Sequence, residues 1–130
     1  MGHNALVQCS ECGHTDEFQL GVGMMYSRLE HVIELVLPSQ RERVLQVLRE
    51  GHVESEEYEH ALFTCPKCHI LHGRFHYQVV HDGGKVLEAD FQCDRCQTPL
   101  KRATRKVPHY RCSACGARAL TEQPLSTLWD

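Results

Sequence analysis

The chain has 130 residues, of which 42% are hydrophobic, 7% aromatic and 24% charged, with a formal net charge of −3 and eight cysteines. So few aromatics leave a thin core, and a chain of this size then calls for covalent or metal staples. No apolar run approaches the roughly 20 residues of a membrane-spanning helix, which excludes an ordinary helical membrane protein.

The first residues, MGHNALVQC, contain no apolar run of the kind that opens a secretory signal. Leu6 stands where a myristoylation pattern needs Ser or Thr. The expected location is therefore cytoplasmic, where thiols stay reduced and are free to bind metal. Cys9-Ser-Glu-Cys12-Gly13 is the first cysteine turn, and Glu17-Phe-Gln-Leu-Gly21 follows it as a strand. Ser27 to Glu30 fits a capping box, after which Leu29, Val32, Ile33 and Val36 recur at helical spacing until Pro38 stops the helix. Ser39 to Glu42 is a second capping box and opens a helix over residues 40–50, with Val44, Val47 and Leu48 on one face and Leu45 beside it. Gly51 is its expected stop. Glu54-Ser-Glu-Glu-Tyr-Glu59 reads as a solvated loop, and His60 to Thr64 leads into the second turn, Cys65-Pro-Lys-Cys68.

Residues 74–92 read as a β-hairpin. Phe75, Tyr77 and Val79 alternate with polar neighbours, Asp82-Gly-Gly-Lys85 forms the turn, and Leu87, Ala89 and Phe91 alternate on the return. The third and fourth turns are Cys93-Asp-Arg-Cys96 and Cys112-Ser-Ala-Cys115, with 15 residues between them. Residues 121–130 read as a C-terminal tail.

All eight cysteines fall in four C-x-x-C pairs. One such turn sets two thiolates along one edge of a tetrahedron, and a second turn supplies the opposite edge. Four turns therefore imply two closed four-thiolate sites and two Zn²⁺ per chain. Residues 91–120 resemble a zinc ribbon, the rubredoxin-like four-cysteine fold group: a cysteine turn, a strand out, a strand back and a second cysteine turn. Gly13 and Gly116 follow the second cysteine of their turns, where the backbone often needs positive φ, whereas His69 and Gln97 stand at that place in the other two.

Sequential pairing joins Cys9, Cys12, Cys65 and Cys68 in one site and Cys93, Cys96, Cys112 and Cys115 in the other. The expected fold is α+β with two small zinc-ribbon units, the first (1–73) interrupted by the two-helix insertion, then the linking hairpin (74–92), the second ribbon (93–120) and the tail. A nested pairing, in which the hairpin itself joins Cys65/Cys68 to Cys93/Cys96, stays open.

Other chemistries fit less well. Cys65-Pro-Lys-Cys68-His69 matches the haem-attachment pattern, but covalent haem needs an oxidising assembly compartment and strands the other cysteines. Rubredoxin-like iron shares the four-thiolate geometry, without the aromatic cluster that rubredoxins pack around the metal. A thioredoxin-like dithiol needs one C-x-x-C in a βαβ setting. Closed thiolate sites leave no position for substrate, so no enzyme activity and no small-molecule substrate are expected. His69, His72, His76 and His81 crowd one stretch, but His76 and His81 fall on opposite faces of a strand, so they read as scattered histidines.

Charge divides along the chain. Residues 1–92 hold 7 Lys/Arg against 14 Asp/Glu, and residues 93–130 hold 7 against 3. Two contacts follow as candidates. Val36, Leu37, Leu45 and Leu48 offer an apolar surface for a protein partner or self-association, which makes an adaptor the first functional expectation. Lys101, Arg102, Arg105 and Lys106 offer a basic surface for nucleic acid, the alternative, in keeping with the use of zinc ribbons in transcription and translation machinery.

Overall fold

The computed structural model describes residues 2–23, 27–123 and 128–129; positions 124–127 and 130 of the expected tail lie outside them. Among the described residues, two four-stranded antiparallel sheets, one α-helix and two 3-10 segments, the second of them Val107–His109, make up an α+β fold. The first sheet is built around β1 (Gly2–Cys9), which pairs with β2 (Thr15–Leu20), with β7 (Leu120–Gln123) and with β8 (Leu128–Trp129). The second runs β5 (Lys85–Glu88), β4 (Leu71–His81), β3 (Val53–Thr64), β6 (Lys101–Arg102). The expected tail is thus partly strand, because Leu120 to Gln123 and Leu128 to Trp129 return to β1 and pair with its two ends.

The hairpin at 74–92 is present as β4 and β5, with Val79 opposite Leu87 and His81 opposite Lys85. Gly83 and Gly84 turn it at φ 82° and 99°. The acidic stretch at 54–59 is a strand and not a solvated loop: it forms half of β3 and pairs with β4 from Val53–His81 to Thr64–Leu71. Glutamate has poor β propensity, but a long partner strand supplies a hydrogen-bond ladder interrupted by a bulge at Glu54, and packing overrides propensity here.

The insertion differs from expectation in form. Leu29–Leu35 is a 3-10 helix kinked at Val32, and Ser27 caps no backbone amide; its Oγ lies 2.9 Å from His31 Nδ1. Two adjacent β-branched residues, Val32 and Ile33, disfavour a regular α turn. Pro38 holds Leu37 extended and then serves as the first residue of α1 (Pro38–Glu50), so Ser39 is already inside the helix and caps nothing. The Arg41 guanidinium donates to the carbonyls of Glu34 and Val36, both at 3.0 Å, and so closes the end that the 3-10 segment leaves open. Gly51 ends α1 at an ordinary φ of −84°; a side chain there would meet Val47 O at 2.7 Å and Asp82 Oδ2 at 2.8 Å, so glycine is required for space.

One face of the second sheet carries Phe75, Tyr77 and Val79, which pack under Leu29, Val32, Val36 and Val44 in the main core. Each such side chain contributes roughly 1.5–3 kcal/mol by leaving water. Tyr77 is 1% exposed, and its hydroxyl donates to Gln40 Oε1 at 2.5 Å, while Gln40 Nε2 donates to Asp90 O at 2.7 Å. Burial pushes the Tyr77 phenol up to about 12. On the other face of this sheet Ala61, Phe63 and Phe91 form a smaller cluster. A third, around Val7, Tyr110 and Leu120, serves the first sheet.

Candidate metal centres

Each cysteine turn connects or precedes strands that the sheets hold in register. Cys9 ends β1, and the chain turns through Cys12 into β2; Cys112 and Cys115 stand just before β7, the other partner of β1. Cys65 and Cys68 lie between β3 and β4, and Cys93 and Cys96 lie between β5 and β6 at the same end of the second sheet.

The sulfurs therefore gather as Cys9, Cys12, Cys112 and Cys115 in one group and Cys65, Cys68, Cys93 and Cys96 in the other. This is the nested arrangement, and it corrects the sequential one. The reason is topological: β4 and β5 are adjacent antiparallel strands, so the turns at their ends, Cys68 and Cys93, must come together. The helical insertion consequently belongs to an inner unit closed by the second and third turns, while the chain's two ends close an outer unit around it.

All four turns share one backbone pattern. The residue after the second cysteine donates its N–H to the carbonyl of the first: Gly13 to Cys9 at 2.9 Å, His69 to Cys65 at 2.8 Å, Gln97 to Cys93 at 2.9 Å and Gly116 to Cys112 at 2.9 Å. The first cysteine's N–H returns to His14, Ile70, Thr98 and Ala117 respectively. This closure requires positive φ, and His69 and Gln97 adopt it (61° and 57°) just as the glycines do (77° and 76°).

The donor set fits a metal. Within each group all Sγ atoms lie within 4.8 Å of one another. The separations Cys9–Cys115, Cys12–Cys112 and Cys65–Cys96 are 3.6 Å, and Cys68–Cys96 is 3.5 Å. A tetrahedron with metal–sulfur bonds of about 2.3 Å has edges near ~3.8 Å, whereas a disulfide needs about 2.05 Å. Backbone amides also point at sulfur, from Cys68 to Cys65 Sγ at 3.2 Å and from Ala114 to Cys112 Sγ at 3.4 Å.

Within each group the thiols shift one another in opposite directions. Hydrogen bonding from Thr98 brings the Cys96 thiol down to about 6, while its neighbour Cys68, facing the Cys96 sulfur and losing water, is pushed up to about 12. In the outer group the His14 amide opposes the shift at Cys12, but loss of water and the other three thiols raise it to about 12. At Cys112 desolvation opposes ionisation, yet the Cys115 and Ala114 amides and the neighbouring thiols bring it down to about 6. Four thiolates repel at this spacing, and a central dication removes the conflict.

Among the described residues no histidine joins either group. His72 and His81 are buried, at 7% and 8% exposure, and His81 Nδ1 lies 2.7 Å from Asp82 Oδ2. Thr98, whose Oγ1 lies 3.1 Å from Cys96 Sγ, was not singled out from the sequence. Its signal was its place in the turn, two residues after a ligand, where a hydroxyl reaches sulfur.

The two candidate contact surfaces fare differently. Val36 is 2% exposed and lies in the main core, which removes it from the apolar contact; Leu48 is half-buried and packs against the same core, Leu45 is half-buried, and Leu37 alone of the four is exposed, at 38%. Lys101, Arg102, Arg105 and Lys106 are all exposed. Arg102 pairs with Glu59 and lies over the Phe63 ring at 5.8 Å, so it is tied into the fold. Lys101, Arg105, Lys106, Arg111 and Arg118 are exposed with no ion-pair partner among the described residues. Loss of water and then the nearby Arg105, Arg118 and His69 lower the His109 pKa, which marks a crowd of cations about that ring.

No protein-family model, curated protein or solved structure matches the chain. Among the described residues no helix is long and apolar enough to cross a membrane. The two four-cysteine groups are zinc-ribbon-like, and each could hold a metal ion.

Proposed function

We propose that the chain is a non-catalytic module stapled by two Zn²⁺ ions, and that it binds nucleic-acid phosphates through the face around His109. The metal assignment rests on the all-thiolate donor sets and on their edge lengths. Four protein ligands fill a zinc ion's tetrahedron, so neither site has room to activate water or polarise a substrate. Eight free thiols also suit a reducing compartment such as the cytoplasm.

The observation that carries the partner is the set of exposed cations, Lys101, Arg105, Lys106, Arg111 and Arg118, without ion pairs among the described residues, while the apolar helical surface is largely spent on the core. Five phosphate contacts imply an affinity loss of roughly 100-fold on single strands and roughly 500-fold on duplex between 50 and 200 mM salt. Fluorescence anisotropy with labelled single- and double-stranded oligonucleotides across that range tests this reading. Binding that steepens as salt falls, and that weakens in Arg105→Ala and Arg111→Ala regardless of sequence, is the expected result; no binding at 50 mM salt sinks it.

Leu37 favours a second reading, a protein adaptor. It is the exposed apolar residue at the junction of the 3-10 segment and α1. On this reading Leu37→Glu abolishes association with the partner and leaves thermal stability unchanged, whereas Leu48→Glu perturbs the core and is a poor probe.

A further inference from the structure

The two metal turns that face each other across the seam between the units are bonded to one another. Arg95, inside the Cys93–Cys96 turn of the inner site, donates its guanidinium to the carbonyl of Ser113, inside the Cys112–Cys115 turn of the outer site. His69, which closes the Cys65–Cys68 turn, accepts the Arg111 N–H at 2.8 Å, and Arg111 immediately precedes Cys112. Ile70 and Arg111 form the corresponding β-bridge. The seam continues away from the metals: Gly21 and His60 exchange both backbone bonds at 2.8 Å, and Leu71 of β4 packs into the cluster that contains Cys9 and Cys112.

We infer that the two metal sites are energetically coupled, each metal raising the affinity of the other site through the Arg95–Ser113 and His69–Arg111 contacts. A metal in the inner site fixes the turns that carry Arg95 and the His69 carbonyl. Those groups then hold the peptide on either side of Cys112 in its ligating position, so the outer site spends less ordering entropy on its own metal. Linkage makes the effect reciprocal: the outer metal raises inner affinity by the same factor. Arg95 is a positioning residue in this scheme, because it is outside both four-cysteine groups and acts through the Ser113 peptide.

The test is zinc titration of the full chain in a chelator-buffered series, followed by native mass spectrometry, which resolves the chains holding no, one or two metals. The overall constant for loading both metals is compared with the product of two single-site constants. One comes from a Cys12→Ser/Cys115→Ser chain, which keeps the inner site, and the other from a Cys68→Ser/Cys96→Ser chain, which keeps the outer. The overall constant is expected to exceed that product by about tenfold; equality overturns the coupling. If a single-site chain binds no zinc, Arg95→Ala in the eight-cysteine chain decides. It should still hold two zincs, lose several-fold in the overall constant and accumulate the one-metal species, and an unchanged species distribution overturns the inference.

Discussion

His69 and Gln97 occupy a left-handed backbone position that L side chains adopt at a cost of roughly 1–2 kcal/mol, only partly offset by the greater unfolded-state entropy of glycine. His69→Gly and Gln97→Gly should therefore each stabilise the zinc-loaded protein by about 0.5–1 kcal/mol in denaturant titration. The reverse change, Gly13→Ala, should lower stability by about 1 kcal/mol even though a methyl group there meets nothing within 4 Å. A loss at Gly13 equal to that of an arbitrary surface substitution would show that the turn relaxes. The need for positive φ was legible at Gly13 and Gly116 because glycine advertises it. At His69 and Gln97 the metal turn imposes it on residues whose sequence carries no such mark.

Among the elements, α1 is held by a polar clamp at Gln40 as well as by its apolar face and its Arg41 contacts to the 3-10 segment. Gln40 accepts from the Tyr77 hydroxyl and donates to Asp90 O, which ties the helix to β4 and to the segment after β5. Gln40→Ala leaves a phenol on a 1% exposed residue without its acceptor, and the expected loss is about 1–3 kcal/mol. In a Tyr77→Phe background the same substitution should cost much less, so a double-mutant cycle separates the clamp from helix propensity. The β4–β5 hairpin was readable from alternation at Phe75, Tyr77 and Val79, and α1 from its periodic valines and leucines. Neither Ser27 nor Ser39 caps a helix, because Pro38 resets the start of α1 and the β-branched pair at Val32 and Ile33 leaves only a 3-10 segment before it.

For the whole molecule, zinc in the two four-cysteine groups would, on the proposed reading, supply what a thin core does not. Structural zinc contributes on the order of 10 kcal/mol of folding free energy in small domains. Chelation should therefore collapse near-ultraviolet circular dichroism and amide-exchange protection together in both units, and zinc, not magnesium, should restore them. Acidity should act in the same direction. Cys68 and Cys12, each held up at about 12, must give up a proton when metal binds. Each unit of pH lowered should therefore weaken zinc binding at least tenfold, as measured by competition with a chromophoric chelator; a pH-independent constant would contradict thiolate ligation. The eight cysteines were legible as a set of candidate ligands from their spacing. Their grouping was not, because the short interval between Cys96 and Cys112 satisfies the ribbon pattern locally, while the deciding constraint is which strands lie side by side.

The nesting also sets an order of events during synthesis. Cys9 and Cys12 precede the inner unit along the chain, yet their partners at Cys112 and Cys115 follow only after it. Chains fold from the N-terminus as they grow, so the inner site can close on its own metal while the first two thiols still wait. For that interval they are open to oxidation and to the wrong metal, and the protein's yield in a cell should depend on how fast the Cys112–Cys115 turn arrives.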